Sequence, residues 1–576
     1  MYRTRSLCAA TAAVLLFAVV AVLPLLSEAA LEPIIYIIRV PSPESHITEI
    51  EVAVPTEKRP SIELMMAVWS PGFYRVEDYA GKVQKLTART PDGTAVKVEQ
   101  THKNRWSISA NGANRVVVNY SLRCDGRSVT TNWVGADYAI FNGPATYVTL
   151  LEHAERPQEA HLELPPAWRQ SVTSLDGATD GQANHYQAPN FDILADSPIV
   201  AGNLTIHEFD VTGSTHFIVD FGDVGQWDGN LAAQKLRLIA AEHGRLLGGL
   251  PFRRYLFLNA FRQGAGGLEH LNSTLLTSAP ARFNAPTLPW LKFVSHEYFH
   301  AINVKRLRPI ELGPFDYENP PKTASLWISE GLTSYYGDLA VTRSGVGSQQ
   351  DFLLGMSAQI RQLQDTPGRL VQTLEQSSRD VWTSSYSGVG GNKKTTVSYY
   401  VKGSIVGFLL DAKIRHVTDD TRSLDDVMRL AFRRYSGSRG FKPDEFQAVA
   451  AEVAGVGLDG FFNRALASTE ELDYSEMLEW FGLRFAPQSD PPDPAKTWML
   501  EARPDATDAQ KSHLRSLFAT TVSRGPAAAG SQVQSQRAAA RLVYRLPLRK
   551  QNETRPSSGS RSVSGSQSAV VKQASN

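Results

Sequence analysis

Cysteine is almost missing from these 576 residues; only Cys8 and Cys124 occur. Cys8 lies in an N-terminal segment expected to be removed. That leaves Cys124 alone and excludes an internal disulfide, so stability must come from core burial. Following the strand-like "VVVNYSLR", Cys124 reads as a small buried apolar side chain. A surplus of either charge is also missing. Lys plus Arg total 59 and Asp plus Glu total 58, so no bulk field draws the chain to nucleic acid or to an anionic membrane. No internal repeat occurs, and past the N-terminus there is no long apolar run. A stable membrane span is therefore not expected once that terminus is cleaved.

The N-terminus itself is distinctive. "MYRTRSL" carries Arg3 and Arg5, an apolar run extends from Cys8 to Leu26, and Ser27 and Ala29 supply small residues before a cleavage point. Residues 1–29 read as a signal peptide, which implies a periplasmic or secreted protein. The rival reading is an uncleaved membrane anchor.

Residues 30–215 are rich in β-branched strand segments such as "HITEIEVAV" and "RVVVNYSL" with turn formers between them, which predicts an N-terminal all-β domain. "VWSPGFYRVEDYA" within it reads as a Pro-Gly turn with aromatic flanks and suggests no chemistry by pattern. From about 216 to 420 the pattern mixes strands with helical periodicity, an α+β domain of catalytic type. Residues 421–485 predict a helical extension. "APQSDPPDPAK" opens a short linker or remnant over 486–520, and the Ser/Arg/Gln-rich stretch 521–576 predicts a disordered tail.

The chemistry centres on "HEYFH", residues 296–300. On a helix, i and i+4 share a face, so His296 and His300 can address one ion. Zinc accepts imidazole nitrogen and, in a catalytic site, wants three protein ligands and an open position. Glu297, one step from the first ligand, suits the role of general base toward water. "PWLKFVSHEYFHAINVKRL" predicts the helix, stopped by Pro309. A third ligand is expected downstream at Glu330 in "SLWISEGLTSYYGDLA", with Ser325 as N-cap. The bland alternatives are a helix that happens to carry two histidines and a solvated glutamate. Against the second, Glu330 sits among Trp327, Ile328, Leu332 and Tyr335, where an unpaired charge is costly. Twenty-nine residues separate His300 from Glu330, and the Pro-rich segment between them reads as an inserted loop.

"GGLEHLNST", "HEYFHAINVKRLRP", "PFDY", "LWISEGLTSYYGDLA" and "YYVKGSIVGFLLDAKIR" together resemble the glycyl aminopeptidase family, exported zinc metallopeptidases that often carry a PDZ domain. "VWSPGFYRVEDYA" resembles that family's N-terminal β domain. The resemblance spans about residues 33–485. It implies a thermolysin-like catalytic domain and one zinc per chain held by His296, His300 and Glu330. It further implies Glu297 as general base, Glu269 as the group that takes the substrate's α-ammonium, and Tyr400 as the hydrogen-bond donor to the oxyanion. Gly266 and Gly267 would let the peptide backbone approach, and His270 takes a place filled by Asn in the larger related aminopeptidases. The implied activity is removal of N-terminal residues, small ones such as Gly or Ala, from peptide substrates. Residues 486–520 are too short for a PDZ domain. Two alternatives stay open: an endopeptidase of the same fold, and a non-catalytic peptide-binding protein on a peptidase scaffold.

Overall fold

The computed structural model describes residues 31–152, 155–264, 266–278, 285–382, 392–488 and 490–519. The expected signal peptide at 1–29 and the expected tail at 521–576 lie outside the described residues.

The first half is built from strands whose side chains alternate between core and surface. Ile47–Pro55 and Arg115–Arg123 are antiparallel partners at the centre of an eight-stranded sheet, and both bury every second residue. Period-two burial on one face is what "ITEIEVAV" and "RVVVNYSL" encode. Ile34–Arg39 lies beside Ile47–Pro55 and pairs in parallel with Gln158–Glu163. Two four-stranded sheets complete this β-rich half. Cys124 is buried within it as a free thiol.

The next unit is a five-stranded sheet in the order Thr205–Val211, Ser214–Gly222, Arg254–Phe261, Ser273–Ser278, Gly266–Glu269. Its three inner strands run parallel, and Gly266–Glu269 lies antiparallel on the edge. The hairpin that begins at Thr205 belongs to this sheet, so the sheet starts ahead of residue 216, where the change of pattern was placed from sequence. One face packs against helices Gly229–Leu247 and Leu288–Phe299 through residues such as Ile218, Tyr255, Leu291 and Tyr298. The other face packs against the β-rich half through Leu256, Leu258, Leu268, Val129 and Val200.

Helix Leu288–Phe299 starts as the sequence suggests, with the Thr287 hydroxyl accepting from the Trp290 amide and Pro289 in the first turn. It ends much earlier than Pro309. His300 is its C-cap, and the chain then folds back as Asn303 N–H bonds to Phe299 O and Lys305 N–H to His300 O. "VKRLRP" is therefore not the end of a helix. Its cations bind inward instead: Lys305 to Asp196, Arg306 to the carbonyls of Leu271 and Ala301, Arg308 to that of Gly313.

The remaining helices enclose Tyr399–Val417, which is buried along nearly its whole length. The segment 486–520, read from sequence as a linker or remnant, contributes to this core. Leu500–Ala502 pairs with Leu483–Phe485, and helix Asp508–Leu517 buries Leu514 and Leu517. Among the described residues no helix is long and apolar enough to cross a membrane.

The inserted loop between His300 and Glu330 is a strap onto the β-rich half. Tyr317 is buried in that half's core and donates to Asp192. Glu318 receives a two-pronged contact from Arg105 at 2.7 and 2.6 Å, and the Trp69 indole donates to Asp316 O. A length that looks idle in sequence is thus committed to joining the two halves.

Candidate active site

His296 and His300 lie one turn apart at the end of helix Leu288–Phe299, and their Nε2 atoms are 3.1 Å from each other. Glu330 Oε2 lies 3.2 Å from His300 Nε2 and 3.7 Å from His296 Nε2. The three side chains offer one ligand atom apiece, all within 4.8 Å of one another. Both rings are oriented from behind. His300 Nδ1 faces Asn303 O at 3.1 Å, and His296 Nδ1 faces Ser334 Oγ at 3.3 Å. The Ser334 hydroxyl donates to Glu330 O at 2.9 Å. Each Nδ1 has an oxygen beside it and both Nε2 atoms face the shared point, the usual support for a metal-binding imidazole.

Glu330 does not sit on a regular helix, and Ser325 is not its N-cap. Residues Trp327–Leu332 form a π-helical turn that continues directly into helix Thr333–Arg343, preceded by Leu326 without a side-chain cap. Such wide turns recur at functional sites because they re-aim one side chain out of helical register. Asn303 holds the turn to the HEYFH helix by donating to Ile328 O at 2.7 Å and to Thr333 Oγ1 at 2.9 Å.

Glu297 is buried and packs against the edge strand; a Cβ on Gly267 would fall 2.2 Å from its Oε1. The missing side chain at Gly267 is thus the room in which the Glu297 carboxylate sits. Glu269, at the end of the same strand, is 3% exposed. His270 follows it and contacts Asp196 at 3.1 Å, and Lys305 reaches the same carboxylate oxygen at 2.8 Å. Tyr400, in the first turn of Tyr399–Val417, places its ring 6.0 Å from that of His296. Gly403 on that helix nests against Gly331 of the π turn, so Tyr400 and Glu330 are placed by one close backbone contact. The ligand trio, Glu297, Gly267, Glu269 and Tyr400 are therefore drawn together, while His270 at the end of the edge strand turns to Asp196 and Gly266 at its start faces Val129.

The electrostatics are those of a negative pocket. Burial pushes Glu297 up to about 8, against the pull of His300. Burial also raises Glu269. Glu330 is buried too, but His300 and His296 hold it down at about 2. Burial would lower His300, yet Glu330 and Glu269 carry it to about 10. Three buried carboxylates crowd against two imidazoles, an arrangement costly to bury without a further ligand. Glu330 Oε1, Glu297 Oε2 and Glu269 Oε1 are all buried without a hydrogen bond. A site with this donor set and this charge fits a divalent cation, with acceptors left over for water and substrate.

Sequence reasoning passed over the β-rich half's share of the site. Gly72, from "SPGFY", stands at the end of the edge strand. A Cβ on Gly72, whose φ is +99°, would fall 2.4 Å from Glu269 Oε1. Asp196, which holds His270 and Lys305, also comes from this half. The only signal for Gly72 was the likeness of "VWSPGFYRVEDYA" to a family's N-terminal domain, which carries no residue roles, and Asp196 lies outside that stretch.

Known families and solved structures resemble this chain. Residues 35–203 match the profile of the Peptidase M61 N-terminal domain and residues 289–406 that of M61 glycyl aminopeptidase. Among solved structures, an aminopeptidase N family protein from Idiomarina loihiensis is 28% identical with a TM-score of 0.75, covering 79% of each chain. An M1 zinc metallopeptidase variant from Deinococcus radiodurans is 12% identical with a TM-score of 0.49, covering 77% of this chain and 95% of its own. No curated protein matches. With both M61 profiles matched in order, the second spanning the His-Glu-x-x-His helix and the π turn of Glu330, the chain is a metallopeptidase that carries the M61 N-terminal and M61 glycyl aminopeptidase domains.

Proposed function

We propose that this protein is a zinc-dependent aminopeptidase that removes N-terminal residues from peptides. The observation that carries the reading is the closed end of the edge strand. Glu269 is buried there with an unpaired carboxylate oxygen, beside the general-base candidate and the ligand trio. His296, His300 and Glu330 would hold one zinc ion. When bound, zinc supplies a Lewis acid for a peptide carbonyl and makes water acidic enough to lose a proton near neutral pH. Glu297 accepts that proton and returns it to the leaving amine. The Tyr400 hydroxyl donates to the carbonyl oxygen as negative charge develops on it. Glu269 accepts the substrate's α-ammonium and sets the register, with the peptide running along Gly266 and Gly267. The parallel sheet with its antiparallel edge strand above the HEYFH helix supports a thermolysin-like arrangement. The substrate residue removed is a small one, Gly or Ala, in keeping with the glycyl aminopeptidase domain. Export to the periplasm or beyond rests on Arg3, Arg5 and the apolar run that follows.

A charge-assisted hydrogen bond from ammonium to Glu269 contributes about 1.5–3 kcal/mol, or roughly ten- to 150-fold in efficiency. Acetylation of the substrate's N-terminus should cost the wild type at least about ten-fold. Glu269→Ala should bring the free peptide down toward the acetylated one. Equal kcat/KM for free and acetylated peptides in the wild type would instead favour an endopeptidase. Metal analysis should find one zinc per chain, lost in His296→Ala or His300→Ala and kept in Glu297→Gln, which should be inactive. Zinc lost from Glu297→Gln would remove Glu297 from the role of base.

A further inference from the structure

The HEYFH helix and the edge strand are joined through a side chain that belongs to neither. Asp196 is the C-cap of the short helix Phe191–Ala195 in the β-rich half. Its Oδ1 accepts from Lys305 Nζ at 2.8 Å and from His270 Nδ1 at 3.1 Å, and its Oδ2 accepts from the Leu271 amide at 2.8 Å. His270 and Leu271 directly follow Glu269, the last residue of the edge strand. Lys305 lies on the return that follows the HEYFH helix, and its amide donates to His300 O at 3.1 Å. Its Nζ also reaches toward Pro71 O at 3.5 Å, one residue before the Gly72 that faces Glu269. One carboxylate thus closes a path from His300, through Lys305, to the end of the edge strand.

These contacts are buried. The side chains of Asp196, Lys305 and His270 are 11%, 6% and 5% exposed. Burial would raise Asp196, but Lys305 and His270 hold it below the ordinary carboxylate range, so it stays ionised. A buried ion pair often adds no stability over apolar side chains of similar volume, whereas its directed hydrogen bonds fix geometry. The two halves are also fastened elsewhere. Tyr317 donates to Asp192 of the same short helix, and Arg105 grips Glu318. Asp196 differs from those fastenings in what it reaches, because both of its routes end on residues of the site.

We infer that Asp196 is a positioning residue for peptide hydrolysis, contributed by the N-terminal domain: through Lys305 on one side and His270 and Leu271 on the other, it fixes Glu269 and the edge strand against the HEYFH helix. This inference rests on the aminopeptidase reading. Asp196 has no task in the chemistry itself. It keeps the residue that sets the register of the peptide at a constant distance from the ligand trio, and a misplacement of about 1 Å at such a site can cost roughly 100-fold in rate. It also accounts for a lysine and a histidine buried side by side, whose polar atoms the shared carboxylate satisfies.

The test uses zinc-loaded full-length protein and cuts the link at Lys305, because Asp196→Asn alone would leave a buried ammonium without its counter-charge. Lys305→Met keeps the apolar stem and leaves Asp196 two donors; Lys305→Arg restores a cation. The paired variant Asp196→Asn/Lys305→Met removes both charges together. kcat and KM are measured for Ala-Ala-Ala and its N-acetylated form, and zinc content in every variant. In Lys305→Met, kcat/KM for the free-amine peptide should fall about ten- to 100-fold. The acetylated peptide, which makes no use of Glu269, should lose much less, so the preference for a free amine shrinks. Zinc content should not change, and Lys305→Arg should recover most of the loss. The paired variant should show a loss at least as large and as selective. Equal losses for both peptides would overturn the inference, and so would loss of zinc, since either would make this contact a support of the fold or the metal. If the wild type hydrolyses both peptides equally, the aminopeptidase reading fails first and takes this inference with it. A wild-type preference that survives intact in Lys305→Met and in the paired variant sinks only the role of Asp196.

Discussion

Gly267 shows how much of this site depends on an atom that is not there. Its neighbours Leu268 and Glu269 bury their side chains, while Gly267 leaves the space that the Glu297 carboxylate occupies. In Gly267→Ala the new Cβ would lie 2.2 Å from Glu297 Oε1, so the carboxylate must swing away from its resting place. A displaced general base costs rate and leaves metal binding alone, because Glu297 is not among the three ligand-bearing residues. We expect kcat to fall at least about ten-fold, by analogy with the 10²–10⁴-fold that a positioned acid or base supplies, with zinc content and melting temperature near wild type. Steady-state kinetics beside metal analysis would check this. A Gly267→Ala enzyme with full kcat would show that Glu297 works from another position.

At the scale of elements, the π turn and the tyrosine helix form one device. Trp327–Leu332 carries Glu330, Tyr399–Val417 carries Tyr400, and they touch where Gly331 meets Gly403. A Cβ on Gly331 would fall 2.5 Å from Gly403 Cα and 2.9 Å from Tyr399 O, both backbone atoms that cannot rotate aside. Gly331→Ala should therefore separate the two elements. The expected stability loss is about 1–3 kcal/mol, the usual cost of overpacking a filled core, read from urea unfolding. Zinc should bind more weakly in a chelator competition, since Glu330 moves with the turn. If stability drops and zinc affinity stays at the wild-type level, the π turn positions Glu330 independently of this contact.

At the scale of the whole molecule, two histidines far from solvent make stability depend on pH. His216 and His243 are buried on the helix side of the five-stranded sheet, and burial lowers them from 6.5 to about 4 and about 3. His216 bonds to the Tyr298 hydroxyl and His243 to Ser295, both on the HEYFH helix. Below pH 6.5 the unfolded chain takes up these protons and the folded chain does not. Their contribution is therefore complete above about pH 7 and declines as pH falls toward their folded values. Between pH 7 and pH 5 each should cost about 2 kcal/mol. Melting temperature should fall over that interval, and His243→Gln should flatten the slope even if it lowers stability at pH 7. A slope unchanged in His243→Gln would exclude this histidine as a source of the dependence.

Much of this could be read directly from the chain, because it depends on local periodicity. Alternation in "ITEIEVAV" and "RVVVNYSL" specifies half-buried strands whatever their partners. An i, i+4 pair of histidines on an amphipathic run shares a face in any protein. The histidine pair and Glu297 are accordingly legible in the sequence. Other features depend on neighbours distant in the chain, and only the tertiary structure decided them. The HEYFH helix stops at Phe299 because the returning chain from Asn303 to Lys305 takes over its carbonyls, which no breaker residue in the helix announces. The π turn at Glu330 answers packing against Gly403, more than seventy residues on. The strap from His300 to Glu330 has meaning only once Arg105 and Trp69 receive it. Periodicity and spacing pointed to His296, His300 and Glu297, and the family resemblance to Glu269 and Tyr400; close contact between remote segments decided that Gly72 of the β-rich half stands beside them.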